Sequence, residues 1–335
     1  MTIGNGARAT IAAMSIATLV TTTGACVSAQ PGPAPFAGSF DGTVHIARNS
    51  WLGSSVDAEL ARTLLVDQLQ LQADVVDVDE TAQFPLLAGG TLDVTLEIWP
   101  SGHASDLATF VATGQVRSLG LLGPTGRIGW YVPTYMLDAY PELETWQGLR
   151  DKTRATLFMT PQTSPNGQFL AGDPTWTQYD AQIIQNLGLD FDVVYSGSEQ
   201  GTIDTLDHAY GQHGALLFYF WVPHWALAKY DITAVALPES TPACLASAPD
   251  GGVACDYPPD RLFKGAWPGL RYASPVANAL LSSIQLTTKD QVAIMGSVKI
   301  DGASVHDAVQ TWLAANETTW KAWVATARSA QATGS

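Results

Sequence analysis

Three tryptophan-bearing loops of this sequence each follow a predicted strand: residues 99–103, 173–178 and 220–225. Indole offers the strongest cation–π face among the side chains, and open α/β sheets bind ligands beyond the carboxyl ends of their strands. The loops therefore favour a site for a cationic group, although a tryptophan at such a position also packs in cores. The third loop follows an apolar run at 215–220, which predicts a fully buried strand.

Signatures of common enzyme classes are missing from the sequence. It contains no G-x-x-x-x-G-K-[ST] phosphate loop, no G-x-S-x-G elbow and no H-E-x-x-H. The glycines at 123–129 lack the dinucleotide-binding spacing and predict a turn. His208, His213 and His224 share no helical face and have no cysteine pair beside them, which disfavours a metal site. We therefore expect no cofactor and no metal.

Strands alternate with helices along most of the chain. We expect strands at 43–47, 75–78, 92–99, 155–159, 191–195, 215–220 and 232–237. In the strand at 92–99, Asp93, Thr95 and Glu97 alternate with apolar residues. Ser54 and Asp57 form a candidate capping box for the first helix, and the last helix is expected at 305–327. Residues 161–174 and 238–268 are expected to be loops. The alternation predicts βαβ units and mostly parallel sheets.

Composition limits the classes of partner. The chain of 335 residues is 46% hydrophobic and 14% charged, so it can bury a large core. Its net charge of −15 argues against nucleic acid and anionic membrane surfaces, because both require a basic face.

The amino terminus predicts export. Residues 1–29 combine Arg8 with a short apolar stretch and small residues, as in a signal peptide. Processing before Cys26 would give a lipoprotein, and cleavage after Ala29 is the competing interpretation. Residues 30–40 then form a tether. Cys244 and Cys255 lie 11 positions apart in a loop, which predicts one disulfide in an oxidising compartment.

The order of the tryptophan loops resembles that of a known family. Trp-Pro-x-x-His at 99–103, Pro-x-Trp at 174–176 and Trp-x-Pro-His-Trp at 221–225 occur in the same order in substrate-binding proteins of ABC importers for glycine betaine, proline betaine and choline. The resemblance extends from about residue 43 to residue 323. It implies an α/β fold with two lobes, in which 41–130 and 239–335 form lobe 1 and 131–238 form lobe 2. The ligand would lie in the cleft between the lobes.

The resemblance also implies roles for individual residues. Trp99, Trp176 and Trp221 would form a cage around a quaternary ammonium group, with Trp51 as a further aromatic candidate. A trimethylammonium group has no N–H to donate, so aromatic faces suit it. The resemblance implies further contacts to a carboxylate group of the ligand, made by His103 and by the backbone N–H groups of Thr177 and Gln178. At Thr177 and Gln178 this chain carries bulkier residues than the family pattern. The identity of the ligand is therefore left open.

The resulting interpretation is an exported solute-binding protein and not an enzyme. It would capture glycine betaine or a similar osmolyte and deliver it to an ABC permease and ATPase on separate chains. We expect a monomer that meets the membrane only through a lipid anchor. The alternatives are a binding protein for choline, carnitine or ectoine, an exported enzyme on the same fold, and a metal-capturing protein.

Overall fold

The computed structural model describes residues 37–332 of the chain. Its strands are β1 (Thr43–Arg48), β2 (Gln72–Asp77), β3 (Val94–Ile98), β4 (Arg117–Pro133), β5 (Gly167–Ala171), β6 (Phe191–Tyr195), β7 (Phe218–Val222), β8 (Ile232–Val235) and β9 (Asp260–Ala266).

Helices follow most of these strands. They are α1 (Leu52–Thr63), α2 (Gln83–Gly89), α3 (Ala104–Asp106), α4 (Trp146–Leu149), α5 (Lys152–Ala155), α6 (Asp180–Leu187), α7 (Glu199–Gln212), α8 (Pro242–Ala246), α9 (Leu270–Ala273), α10 (Pro275–Ser283), α11 (Thr288–Lys299), α12 (Val305–Ala315) and α13 (Glu317–Ala332).

One sheet contains all of these strands in the order β2-β1-β3-β9-β4-β7-β5-β6, and β8 pairs with β4. β1 runs parallel to β2 and to β3, and β5 runs parallel to β6 and to β7. The carboxyl ends of β1, β2 and β3 therefore lie at one edge, as do those of β5, β6 and β7. Loops that leave these edges are where an open α/β sheet binds ligands.

The long strand β4 belongs to both parallel groups. Its residues 117–126 pair with β9, and its residues 127–133 pair with β7 and β8. All four of the β3–β9, β4–β9, β4–β7 and β4–β8 pairings are antiparallel. The expectation of mostly parallel sheets was therefore wrong for the middle of the sheet. The lobe boundaries proposed from the sequence stay a prediction.

Several predicted elements differ from the structure. Residues 155–158 are helical turns, Met159 forms only an isolated bridge to Gly167, and the strand lies in the supposed loop, as β5. β9 likewise falls within a segment predicted to be a loop. Trp51 precedes α1, so Ser54 and Asp57 lie inside the helix and form no capping box. The final predicted helix is divided at Asn316 into α12 and α13.

A disulfide joins Cys244 to Cys255, as the sequence predicts. Within residues 37–332, no helix is long and apolar enough to cross a bilayer. The predicted signal peptide and Cys26 lie outside the described residues.

Candidate functional site

Two tryptophans lie at the carboxyl ends of the parallel strands β1 and β3. Trp51 precedes α1, and Trp99 follows β3 directly. Both indole N–H groups donate to the same atom, Oε1 of Glu97, over 2.9 and 2.8 Å. Gly126 permits this position of Trp99, because a Cβ at Gly126 would lie 2.2 Å from the indole ring. The two rings are thus fixed by one carboxylate and by close contact with β4.

Two more tryptophans come from β5 and β7. Trp176 lies in the loop after β5, and Trp221 lies within β7, which begins three residues later than predicted. The rings of Trp176 and Trp221 meet edge to face at 5.1 Å between centroids, and those of Trp176 and Trp51 at 6.2 Å. The Trp176 indole N–H donates to the Ser50 hydroxyl over 2.8 Å. Trp176 therefore contacts an aromatic ring from each parallel group.

These four indoles line a single cavity. Each is at least nine-tenths buried. The remaining lining residues are Glu80, Gly102, Ile128, Thr177 and Tyr219. Tyr219 adds a fifth ring, 6.1 Å from Trp176 and 6.2 Å from Trp221. The cavity therefore has largely aromatic walls and one carboxylate. That composition suits a cation without hydrogen-bond donors.

Glu80 supplies the ionisable group in the cavity wall. Its Oε2 accepts the backbone N–H of Thr177 over 2.9 Å, and its Oε1 lies 3.0 Å from Nε2 of His103. The other ring nitrogen of His103 lies 3.0 Å from Asp106. Burial by itself lowers the pKa of His103, but the hydrogen bonds and charges of Glu80 and Asp106 outweigh it and raise that pKa. The two carboxylates thus favour the protonated form of the imidazole.

The structure separates the residues predicted to bind a ligand carboxylate. Thr177 lines the cavity, but its backbone N–H is bonded to Glu80. His103 lies behind Glu80 and does not line the cavity. The Gln178 side chain braces its own loop through Gly172 and the carbonyl of Asp173. Ligand contact by these residues stays a prediction.

Sequence reasoning missed Glu80, Ile128 and Tyr219 as cavity residues. Glu80 lies just beyond the carboxyl end of β2, beside the strands that carry Trp51 and Trp99. Its position just after a parallel strand is the sequence feature from which a role in the cavity could have been predicted.

Comparison with protein families decides the assignment. Residues 42–315 match the family of substrate-binding domains of ABC-type glycine betaine transport systems. The chain belongs to this family. It is a substrate-binding protein of the betaine/choline type, as the tryptophan loops indicated.

Related proteins differ in the ligand that their names record. This substrate-binding protein is 24% identical to a trimethylamine N-oxide-binding protein of Pelagibacter ubique (strain HTCC1062), over 73% of its own chain and 79% of the relative. Lactococcal OpuAC, crystallised closed with glycine betaine, superposes with a TM-score of 0.67 at 20% identity, over 85% of this chain and all of that one.

Two further solved structures share the fold. A choline-binding protein in complex with choline gives a TM-score of 0.67 at 18% identity, over 86% of this chain and 98% of that one. ProX of Borrelia burgdorferi gives 0.68 at 17% identity, over 84% and 96%. The two-lobed α/β fold predicted from the sequence is therefore confirmed.

Proposed function

We propose that this substrate-binding protein captures a small trimethylammonium compound that carries no carboxylate. Trp51, Trp99, Trp176 and Trp221 would surround the ammonium group, and Glu80 would face the opposite end of the ligand. The protein itself performs no chemistry. It delivers the solute to an ABC permease and ATPase on separate chains.

Glu80 is the observation that supports this class of ligand. It already accepts the Thr177 backbone N–H and contacts His103, two of the three groups expected to bind a ligand carboxylate. A second carboxylate at this end of the cavity would meet a like charge in a site of low dielectric. A cationic head group is instead attracted to Glu80. Glycine betaine and carnitine are therefore disfavoured.

Choline and trimethylamine N-oxide are the two carboxylate-free ligands named for relatives. The choline hydroxyl can donate to Glu80, which is an acceptor. The N-oxide oxygen only accepts, so it requires a donor such as the Thr177 hydroxyl at the cavity wall. The chemistry of Glu80 places choline first.

The aromatic walls supply energy of the right order. A desolvated cation–π contact is worth up to about 2 kcal/mol, so four indoles give up to about 8 kcal/mol. Micromolar affinity corresponds to about 8 kcal/mol after the costs of association have been met. Attraction to Glu80 adds to the aromatic term. Because the costs of association come in addition, attraction to Glu80 and burial of the ligand's methyl groups must offset them for micromolar capture.

Export completes the proposal. The disulfide between Cys244 and Cys255 is typical of an oxidising compartment. We propose that residues 1–29 direct export, that Cys26 carries a lipid, and that the protein acts as a monomer outside the cytoplasmic membrane.

Calorimetry with a ligand panel tests the proposal. The panel contains choline, trimethylamine N-oxide, glycine betaine, carnitine, ectoine and Zn²⁺. We expect choline or the N-oxide to bind at least about tenfold more tightly than glycine betaine, because the betaine carboxylate meets Glu80. Tighter binding of glycine betaine would contradict the proposed ligand class, and binding of Zn²⁺ alone would contradict the cage. Recovery of the ligand unchanged after long incubation would exclude turnover.

A further inference from the structure

Glu97 holds two walls of the cage from behind. It is a buried residue at the end of β3, and its Oε1 accepts the indole N–H groups of both Trp51 and Trp99. Its other oxygen, Oε2, accepts from the side-chain amide of Gln291 over 3.1 Å. Glu97 does not line the cavity. It therefore acts on a ligand only through the two rings.

Asp57 shares this buried cluster with Glu97, and its Oδ2 accepts from the Gln291 side chain, which also donates to Glu97. Burial and the Glu97 charge raise the pKa of Asp57 well above its usual range. Burial also raises the pKa of Glu97, but N–H groups of Trp51, Trp99 and Gln291 donate to its two oxygens. Hydrogen bonds to a carboxylate favour its charged form, so the negative charge of the pair is better stabilised on Glu97 than on Asp57.

Other charged groups lie near this pair. Lys264 interacts electrostatically with Asp57 and directs its ammonium group to the carbonyls of Ser282 and Ile284. Glu199 adds a second negative charge near Glu97. No described hydrogen bond joins Lys264 to Glu97. The Lys264 ammonium group therefore does not compete with the two indole N–H groups for this carboxylate.

We propose that Glu97 is a positioning residue that makes the cage selective for cations over neutral ligands of the same shape. This inference rests on the proposed trimethylammonium site. A carboxylate that accepts an indole N–H increases the electron density on the ring, and the negative ring face is what attracts a cation. The charge itself also lies at the edge of both rings, in a buried site where attraction is weakly screened. A neutral ligand gains the apolar contact but neither electrostatic effect.

Glu97→Gln provides the test. The amide oxygen still accepts from both indoles, but the new amide group replaces the oxygen that accepts from Gln291 Nε2. It can be accommodated if the Gln291 amide turns over and presents Oε1, a buried acceptor that has no partner among the described residues. The variant thus removes the charge and retains the shape. The probes are choline and its neutral carbon isostere 3,3-dimethylbutan-1-ol, measured by calorimetry. We expect choline affinity to fall at least about tenfold and isostere affinity to change less than about threefold.

Two further variants keep the test decisive. Glu97→Gln leaves Asp57 as an acidic group in the cluster, so the double variant Asp57→Asn/Glu97→Gln removes the last acidic group of the pair. It should lose the same selectivity, and it avoids an unpaired buried charge if the single variant fails to fold. Asp93→Asn is the matched control, because Asp93 is a buried carboxylate just before β3 that bonds to His45. It should retain the wild-type ratio of affinities.

The outcomes separate this inference from the proposed function. An equal loss of affinity for choline and for the isostere would show that Glu97 only holds the rings in place. Unchanged choline affinity would show that Glu97 has no effect on binding. Either result overturns the inference. If glycine betaine proves the best wild-type ligand, the proposed ligand class fails, and the same variants measured with glycine betaine still test Glu97. If no trimethylammonium compound binds the wild type, both fail.

Discussion

The backbone N–H of Thr177 donates to Oε2 of Glu80 over 2.9 Å, and this bond joins the loop after β5 to the loop after β2. Glu80 thereby links these two loops in the cavity wall and places a carboxylate beside the aromatic rings. Two of the groups expected to bind an acidic ligand, His103 and the Thr177 N–H, already contact the protein's own Glu80. The ligand preference of the protein should therefore change with the charge at this one position.

Glu80→Gln should reverse the preference between choline and glycine betaine. The amide removes the negative charge that attracts the cation and repels a ligand carboxylate. We expect the ratio of the two dissociation constants to shift at least about tenfold toward glycine betaine, as measured by calorimetry. Glu144→Gln is the control, because Glu144 is exposed and remote from the cavity residues in sequence. An unchanged ratio in Glu80→Gln would place the ligand elsewhere.

Trp221→Ala should weaken ligand binding at least about tenfold, because one aromatic face of the cage is lost. The same calorimetric titration measures it. Trp146→Ala is the matched control, because Trp146 begins α4 and does not line the cavity. It should retain wild-type affinity. If Trp221→Ala binds as tightly as the wild type, Trp221 does not contact the ligand.

The His103 cluster predicts a loss of stability at alkaline pH. Because Glu80 and Asp106 raise the folded-state pKa of His103, its contribution is fully present below the unfolded value of about 6.5 and is lost as the pH rises through the folded value. The free energy of unfolding, measured in urea from about pH 6.5 to about pH 9, should fall in the wild type. Asp180, whose pKa burial raises to about 7, and Lys264, whose pKa burial lowers to about 8, also titrate in this range, so the test is the difference in slope between the wild type and a His103 variant.

Variants identify the titrating group. His103→Gln should show a flatter profile over the same range, while His208→Gln, which alters an exposed histidine on α7, should retain the wild-type slope. Parallel slopes in the wild type and in His103→Gln would assign the pH dependence to another group.

The double variant Cys244→Ser/Cys255→Ser should lower the free energy of unfolding by about 2–3 kcal/mol, because the disulfide closes a short loop. The two cysteines are separated by 11 positions. Urea unfolding under non-reducing conditions measures the difference. The wild type in excess dithiothreitol should approach the value of the variant. Equal stability of the variant and the oxidised wild type would show that the bond contributes little.

The sequence predicted the aromatic residues of the site better than its charged ones. Trp99 was predicted because it ends a clearly alternating strand, and Trp176 because it precedes a predicted helix. The order of the tryptophan loops indicated the family. Glu97 was hidden, because alternation along β3 predicts one solvated face, whereas all five residues of β3 are buried. Burial on both faces follows from packing between distant segments, which a local pattern does not record.

The same reasoning explains the missed strands. β5 lies in a segment rich in glycine and proline, and β9 begins with Asp260 and Arg261, so neither shows the expected apolar run. Each is held by pairing with partners far along the chain: β5 with β6 and β7, and β9 with β3 and β4. Residues that act through such partners, as Glu80 does through His103 and Thr177, require the tertiary structure to be recognised.

The tryptophans of the cavity give the protein a built-in optical readout. Of the 11 tryptophans in the chain, the cavity contains Trp51, Trp99, Trp176 and Trp221. Their rings touch one another or share a carboxylate, so an arriving cation would perturb all four emitters together. Intrinsic fluorescence should then report the occupied fraction without a label. This property makes the protein a starting scaffold for a sensor of dissolved methylated amines.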